Sequence, residues 1–216
     1  MHKSITNLNL IKEDLKSKVK NYQNIKIIAV SKTFPIEAIK PLIEYGHLEY
    51  GENKVQEAIN KWTEIKKTNP NIKLHLIGKL QTNKVKFALK IFDYVHSVDN
   101  KKLAKKIADE ELKQNKKIKI FLQVNIGNEK QKSGINKDFL QDLYSYCKDL
   151  NLDIVGLMCI PPAEHMSEIF FKEMDVLAKK FNLLELSMGM SADYIDAANN
   201  SATYLRIGSN IFGKRG

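Results

Sequence analysis

The chain has 216 residues, 43% of them hydrophobic and 28% charged, which suits one domain over residues 1–216 and is short for two full enzyme domains. Its formal net charge is +10, but lysine is spread along the chain and arginine stands only at positions 206 and 215, so we expect a solvated basic surface and no nucleic-acid partner. No apolar run approaches a membrane span and the first residues lack a signal-peptide pattern, which predicts a cytoplasmic protein without a membrane segment.

The predicted elements begin with a helix, Ser4–Tyr22, whose apolar residues recur at spacings of three and four. After this helix, short β-rich runs alternate with helical patterns. The predicted strands are Lys26–Ser31, Leu48–Gly51, Lys73–Gly78, Asp93–Ser97, Lys119–Asn125, Ile154–Cys159, Leu184–Ser187 and Thr203–Gly208. The predicted helices between them are Pro35–Tyr45, Lys54–Lys66, Asn83–Ile91, Asn100–Gln114, Lys137–Leu150, His165–Phe181 and Ala192–Asn200.

Strands that alternate with helices in this way predict an α/β fold, a single TIM-type (β/α)8 barrel with an extra N-terminal helix. The chain stops soon after the last strand, so we expect no helix there, and we expect the leading helix to cover the barrel wall near the seam. The alternative is an open doubly wound sheet, which needs a phosphate-binding turn after its first strand. Here that strand leads into Ser31-Lys32-Thr33, which contains no glycine.

Lys32 is the first candidate for chemistry, because function in such barrels sits at the carboxyl ends of the strands. It follows the apolar residues Ile27-Ile28-Ala29-Val30, so we expect its side chain to face the barrel mouth. Partial desolvation there favours the neutral amine, which is a nucleophile toward carbonyl groups. A lysine that only extends to the solvated rim is the alternative interpretation.

The ends of the last two predicted strands carry Ser187-Met188-Gly189-Met190-Ser191 and Gly208-Ser209. Barrels commonly bind phosphate after these two strands, where glycine lets the backbone approach the oxygens and serine adds a hydroxyl donor. The alternative is ordinary turn chemistry. Arg206 lies two residues before Gly208, and therefore on the same side of the strand, within an apolar run. A buried guanidinium needs an anion or another acceptor.

A carbonyl-reactive lysine, a phosphate site and a polar partner for a ring together favour pyridoxal 5′-phosphate (PLP). A plain sugar phosphate or nucleotide is the alternative ligand. Two further pairs are weaker candidates. His75 and His96 lie on neighbouring predicted strands and are either metal ligands or hydrogen-bonded core residues. Glu52 and Glu57 are either an acid–base pair or, for Glu57, a solvated or capping residue of a helix.

Ordered motifs run along nearly the whole chain. They are Ala29–Thr33, Gly51–Glu57, His75–Gly78 with Leu80–Lys84, Gln123–Ile126 with Lys132–Gly134, Gly156–Met158, Leu186–Ser191, and Arg206–Gly208 with Ile211–Gly213. Together they resemble the YggS/PROSC family of PLP homeostasis proteins, whose fold is similar to the barrel domain of alanine racemase.

The resemblance implies that Lys32 forms a Schiff base, the internal aldimine, with PLP. It implies that the phosphate and ring are held by Ser187, Gly189, Ser191, Arg206, Gly208 and Ser209, and that Asn53 lines the pocket. Lys79 departs from the family, because relatives often carry histidine or another polar residue there. This departure leaves the chemistry of the pocket rim open.

The function implied by the resemblance is intracellular PLP homeostasis without robust turnover. The alternative is a PLP-dependent racemase of small amino acids, but alanine racemase takes a tyrosine acid/base from a second domain for which this chain has no residues. We expect PLP-dependent apoenzymes as candidate recipients of the cofactor, and we expect a monomer.

Overall fold

The computed structural model describes residues 1–162 and 166–213, and its strands close into one parallel barrel. The order of the strands around the barrel is their order in the sequence, and the last strand pairs with the first. The predicted (β/α)8 barrel with an added N-terminal helix is therefore confirmed. The predicted start of the seventh interstrand helix, His165, lies outside the described residues.

The strands and helices overlap the predicted elements. The strands are β1 (Lys26–Val30), β2 (Glu49–Glu52), β3 (Lys73–Leu76), β4 (Tyr94–Val98), β5 (Lys119–Val124), β6 (Asp153–Cys159), β7 (Glu185–Ser187) and β8 (Tyr204–Ile207). The helices are α1 (Lys3–Lys18), α2 (Ile36–Glu44), α3 (Val55–Thr68), α4 (Val85–Ile91), α5 (Lys101–Gln114), α6 (Leu140–Asp149), α7 (Ser167–Lys180), α8 (Tyr194–Asn199) and α9 (Ser209–Phe212). Among the described residues, no helix is both long and apolar enough to cross a membrane.

Two helix predictions are corrected. The first helix ends at Lys18 rather than Tyr22, because Val19 adopts an extended backbone (φ −130°, ψ 125°) that a helix cannot continue. The expectation of no helix after the last strand is wrong, since α9 forms one short turn there. Its last residues donate their N–H groups to the carbonyl of Gly208, and it ends at Gly213, whose φ of 94° favours glycine.

The barrel interior and the outer layer take alternate residues of each strand, as the two-residue period of a strand requires. In β1, Ile28 and Val30 face a small apolar cluster inside the barrel, whereas Ile27 and Ala29 pack against the surrounding helices. The other buried members of the inner cluster are Tyr94, Phe121, Met158 and Tyr204. The same register places Arg206 of β8 beside Ile28.

Helix α1 covers the seam of the barrel, because it packs on α2, α8 and α9, the helices that flank β1 and β8. Its buried face includes Leu8, which is fully buried. Two polar contacts add to this packing. Asn7 Nδ2 donates to the Ile211 carbonyl of α9 at 2.9 Å, and the Tyr194 hydroxyl of α8 donates to Asp14 at 2.6 Å.

We expect Leu8→Ala to lower the free energy of unfolding by about 2–5 kcal/mol, because it leaves a cavity between α1 and the barrel wall. The matched control is Leu10→Ala on the same helix, where the side chain is 63% exposed and the change should stay within about 0.5 kcal/mol. Equilibrium urea unfolding measures both. Equal losses for the two variants would contradict the docking of this helix face.

Candidate functional site

A cavity of about 570 Å³ opens at the carboxyl ends of the strands. Its lining residues are Val30, Lys32, Phe34, Asn53, Ile77, Ile160, Met190, Ser191, Ala192, Arg206, Gly208, Ser209 and Gly213. The lining therefore includes most of the residues predicted for the site. It does not include Ser187, Gly189 or Lys79, and Lys79 lies exposed after β3.

The turn that carries Lys32 is clamped by helix α3. The Lys61 ammonium donates to the Ser31 carbonyl at 2.9 Å, and the Thr33 N–H donates to the Glu57 carboxylate at 2.5 Å. Thr33 has a φ of 67°, a conformation that a β-branched residue adopts only when its surroundings hold it. The clamp thus fixes Lys32, which is half-buried, at one side of the cavity.

The Glu52 carboxylate lies beneath this turn and is fully buried. One of its oxygens accepts hydrogen bonds from the Ser31 hydroxyl at 2.7 Å, the Trp62 indole at 3.0 Å and Lys61 at 2.9 Å. Burial raises the pKa of Glu52 in spite of these donors. Partial burial also favours a higher pKa for Glu57. The hydrogen bonds from the Thr33 N–H and Lys61 outweigh this effect, so the pKa of Glu57 is lowered.

These contacts answer the hypothesis that Glu52 and Glu57 form an acid–base pair. Neither carboxylate lines the cavity, and both are bound to the clamp beneath the Lys32 turn. The geometry assigns them to positioning that turn.

A further part of the cavity wall is formed by the turns after β7 and β8. Asn210 joins the two turns, because its side-chain amide donates to the Ser191 carbonyl at 2.9 Å and its N–H meets the Ser191 hydroxyl at 3.4 Å. Within residues 1–162 and 166–213, the N–H groups of Ser191 and Ser209 donate to no protein acceptor. This part of the cavity wall therefore offers backbone and hydroxyl donors, which suit an anion.

Gly189 supports the first of these turns from behind. Its φ is 87°, and a Cβ on it would lie 2.5 Å from the Ala197 side chain of α8. Its carbonyl accepts the N–H of Arg206, which ties the turn to β8. The close packing of the turn on α8 thus explains the glycine, which was expected to contact the phosphate.

Arg206 forms part of the cavity wall although it is only 4% exposed. Its guanidinium donates to the Ser187 hydroxyl and to the Cys159 carbonyl, both at 2.8 Å. Burial lowers the pKa of Arg206. Ser187, which was expected to help hold the phosphate and ring, does not line the cavity, and its buried hydroxyl accepts a hydrogen bond from Arg206.

The two histidines are core residues that hydrogen-bond to each other, His75 Nδ1 to His96 Nε2 at 2.9 Å. His96 Nδ1 also meets the Ser187 hydroxyl at 2.8 Å, and His75 Nε2 meets Glu49 at 2.6 Å. No group of three metal-ligating side chains occurs among the described residues. The sequence placed the histidines on neighbouring strands but gave no indication that Glu49 and Ser187 join them.

Comparison with known proteins places this chain in a family. The family model for the N-terminal domain of alanine racemase matches residues 6–216. A pyridoxal phosphate homeostasis protein of Aquifex aeolicus is 38% identical over 200 residues, 88% of this chain and 87% of the relative. The Haemophilus influenzae protein of the same name is 33% identical over 97% of this chain and 94% of its own length.

Solved structures agree. PipY of Synechococcus elongatus without PLP superposes with a TM-score of 0.87 at 32% identity, over 98% of this chain and all of PipY. The PLP-bound form of PipY gives 0.86. An alanine racemase of Clostridium difficile, at 17% identity, shares the fold with a TM-score of 0.76, and this chain covers 57% of it.

The family-model match and the fold define a barrel of the alanine racemase N-terminal-domain class. Within that class, the chain belongs to the family of pyridoxal phosphate homeostasis proteins.

We expect Lys61→Met to lower the free energy of unfolding by about 3 kcal/mol at about pH 8, because it removes the cationic partner of the buried Glu52 carboxylate. The loss should be smaller at about pH 5. Without Lys61, the folded-state pKa of Glu52 rises further above its unfolded value, so the folded protein binds this proton more tightly. Stability then falls as pH rises between the two pKa values. Urea unfolding at both pH values measures this.

The matched control is Lys67→Met on the same helix, whose ion pair with Glu64 is solvent-exposed. It should change stability by less than about 0.5 kcal/mol at either pH. An equal loss at the two pH values for Lys61→Met would contradict the ionic role of Lys61.

Proposed function

We propose that this chain binds PLP in the cavity through Lys32 and acts in PLP homeostasis inside the cell, without robust turnover. The observation that carries the proposal is one cavity whose lining includes both the Lys32 side chain and two turns that contain serine and glycine. Relatives named pyridoxal phosphate homeostasis proteins, and the PipY structure with PLP bound, support the same ligand.

The residues of the cavity fit the chemistry of this cofactor. A volume of about 570 Å³ lies within the usual range for small-molecule sites. Ser191, Gly208 and Ser209 would hold the phosphate through hydroxyl and N–H donors. Val30 and Ile77 supply apolar surface for a ring, and Asn53 adds an amide at the wall.

Lys32 would bind the cofactor covalently. Its neutral Nζ forms a bond to the aldehyde carbon, the carbonyl oxygen leaves as water, and a carbon–nitrogen double bond, the Schiff base, remains. When bound, PLP supplies an electron-withdrawing ring. The α3 clamp contributes by holding the Lys32 turn in one position, so that the amine need not be ordered when the cofactor arrives.

Arg206 would bind the ring side of the cofactor. A guanidinium stays protonated, so it donates to a ring nitrogen and disfavours a proton on that nitrogen. An unprotonated ring withdraws electrons weakly. This arrangement suits storage of the cofactor better than amino-acid chemistry.

The lining also argues against efficient racemisation. Among the described lining residues, the ionisable side chains are Lys32 and Arg206. Racemisation moves a proton on both faces of a planar carbon and needs a second acid/base besides the lysine. Arginine serves poorly in this role because it does not release its proton.

The proposal includes three further expectations. PLP-dependent apoenzymes are the candidate recipients of the cofactor, the protein is monomeric, and it is cytoplasmic. Sedimentation of the purified protein with and without PLP measures the oligomeric state.

Addition of PLP to the purified protein should produce a visible absorption band, and borohydride should fix the cofactor to one peptide, the one that contains Lys32. Lys32→Ala should abolish both. Lys79→Ala is the matched control, because Lys79 is an exposed lysine after β3 that does not line the cavity, and it should retain both.

Mass spectrometry of the reduced protein identifies the modified residue. An adduct that persists on another lysine in Lys32→Ala would contradict the assignment. If the band is absent and simple phosphate esters protect the protein against thermal unfolding, the cavity is instead a site for a sugar phosphate or nucleotide.

We expect no racemisation of alanine or serine at ordinary enzymatic rates, about 1–1000 per second, by the PLP-loaded protein. Chiral chromatography of the amino acid after incubation measures this, with Lys32→Ala as the background. Turnover in that range would overturn the homeostasis proposal in favour of a racemase.

A further inference from the structure

A line of hydrogen bonds crosses the interior of the barrel from Glu49 at the start of β2 to Arg206 on β8. It runs from Glu49 to His75 (2.6 Å), from His75 to His96 (2.9 Å), from His96 to Ser187 (2.8 Å) and from Ser187 to Arg206 (2.8 Å). Four of the five side chains are buried, and Glu49 reaches solvent with 21% of its side chain exposed. We call these five residues the Glu49–Arg206 chain.

The carboxylate end of the chain fixes its direction when both rings are neutral. A guanidinium only donates hydrogen bonds and a carboxylate only accepts them. Arg206 therefore donates to the Ser187 oxygen, and His75 donates from Nε2 to Glu49. A neutral His75 then accepts at Nδ1, so His96 carries its proton on Nε2 and donates it to His75. A neutral His96 in turn accepts at Nδ1, so the Ser187 hydroxyl donates to it. With neutral rings, the two histidines are therefore in the same tautomer.

The surroundings agree with neutral rings. The Tyr94 ring stacks on His75 with centroids 4.4 Å apart, and the Phe121 ring stacks on His96 at 4.2 Å. Burial lowers the pKa of both histidines. The titratable or charged groups that face this pair from the neighbouring strands are Glu49, Lys26, Asp93, Tyr94, Tyr204 and Arg206.

We propose that Glu49, His75, His96 and Ser187 are positioning residues for Arg206, which orient its guanidinium and couple its charge to the Glu49 carboxylate at the far end of the barrel. Within the described residues, the hydrogen-bond acceptors of Arg206 are uncharged, the Ser187 hydroxyl and the Cys159 carbonyl. Glu49 supplies the negative charge at the other end of the hydrogen-bond chain, which passes through the rings of His75 and His96. The effect on a bound cofactor rests on the proposed function, but the protonation sites of His75 and His96 do not.

The first test uses the protein without cofactor. Long-range ¹H–¹⁵N spectra report the protonation of each histidine ring, and both His75 and His96 should be neutral and protonated on Nε2 at neutral pH. Glu49→Gln should change the ¹⁵N chemical shifts of the ring nitrogens of both histidines. An amide can donate as well as accept, so it no longer fixes the direction of the hydrogen bonds in the chain. Glu185→Gln is the matched control, a carboxylate at the start of β7 that lies outside the chain, and it should shift neither.

Three results of this test would overturn the proposal: a charged ring in the wild-type protein, a proton on Nδ1 of either ring, or a response to Glu49→Gln that is confined to His75. None of these results depends on PLP, so they separate failure of the chain from failure of the proposed function.

The second test uses PLP. Glu49→Gln and Ser187→Ala should each weaken PLP binding about fivefold, the ordinary worth of one hydrogen bond, and should move the absorption maximum of bound PLP. The controls are Glu185→Gln and Ser97→Ala, the latter a buried serine that donates to the Gly78 carbonyl and does not line the cavity. Both should keep the wild-type absorption maximum.

A purely structural role would lower the melting temperature without moving that maximum, so an unchanged maximum in Glu49→Gln would overturn the coupling. Because Glu49 is partly exposed, this variant remains informative if Ser187→Ala fails to fold.

Discussion

The structure depends on holding one guanidinium inside a barrel. Arg206 is almost wholly buried and must find acceptors there, because a buried charge without partners is strongly unfavourable. The closed barrel supplies them from two strands, the Cys159 carbonyl of β6 and the Ser187 hydroxyl of β7. Pairing between β1 and β8 sets the height of Arg206 beside Ile28. These contacts make the arginine a fixed wall of the cavity and not a mobile rim residue.

The turns that line the cavity are held by separate sets of contacts. Lys61 of α3 holds the turn of Lys32, and Asn210 joins the turns after β7 and β8. The barrel itself sets the distance between them, since it fixes β1 beside β8 and β8 beside β7. A rigid scaffold with locally fixed turns is a common way to prepare a small-molecule site.

Local pattern was enough to predict the barrel, because strand and helix periods differ clearly and the strand ends of a barrel meet at one face. It also singled out Lys32 and Arg206, which stand out against their neighbours in the sequence and which both line the cavity. It failed where side chains meet across the barrel. The partners of Ser187 come from β4 and β8, and no spacing along the chain shows that its hydroxyl turns inward. The short helix α9 was missed because its four residues are too few to show the 3.6-residue spacing of apolar side chains.

Helix α1, at the start of the chain, contacts two helices near its end. Asn7 is bound to α9, and Asp14 is bound to α8, and these two helices follow the turns after β8 and β7 that line the cavity. The leading helix thus supports the two helices that continue these turns. Trimming the chain back to the first strand, a natural choice for a minimal barrel, would remove these two hydrogen bonds and expose the faces of α8 and α9 that α1 covers.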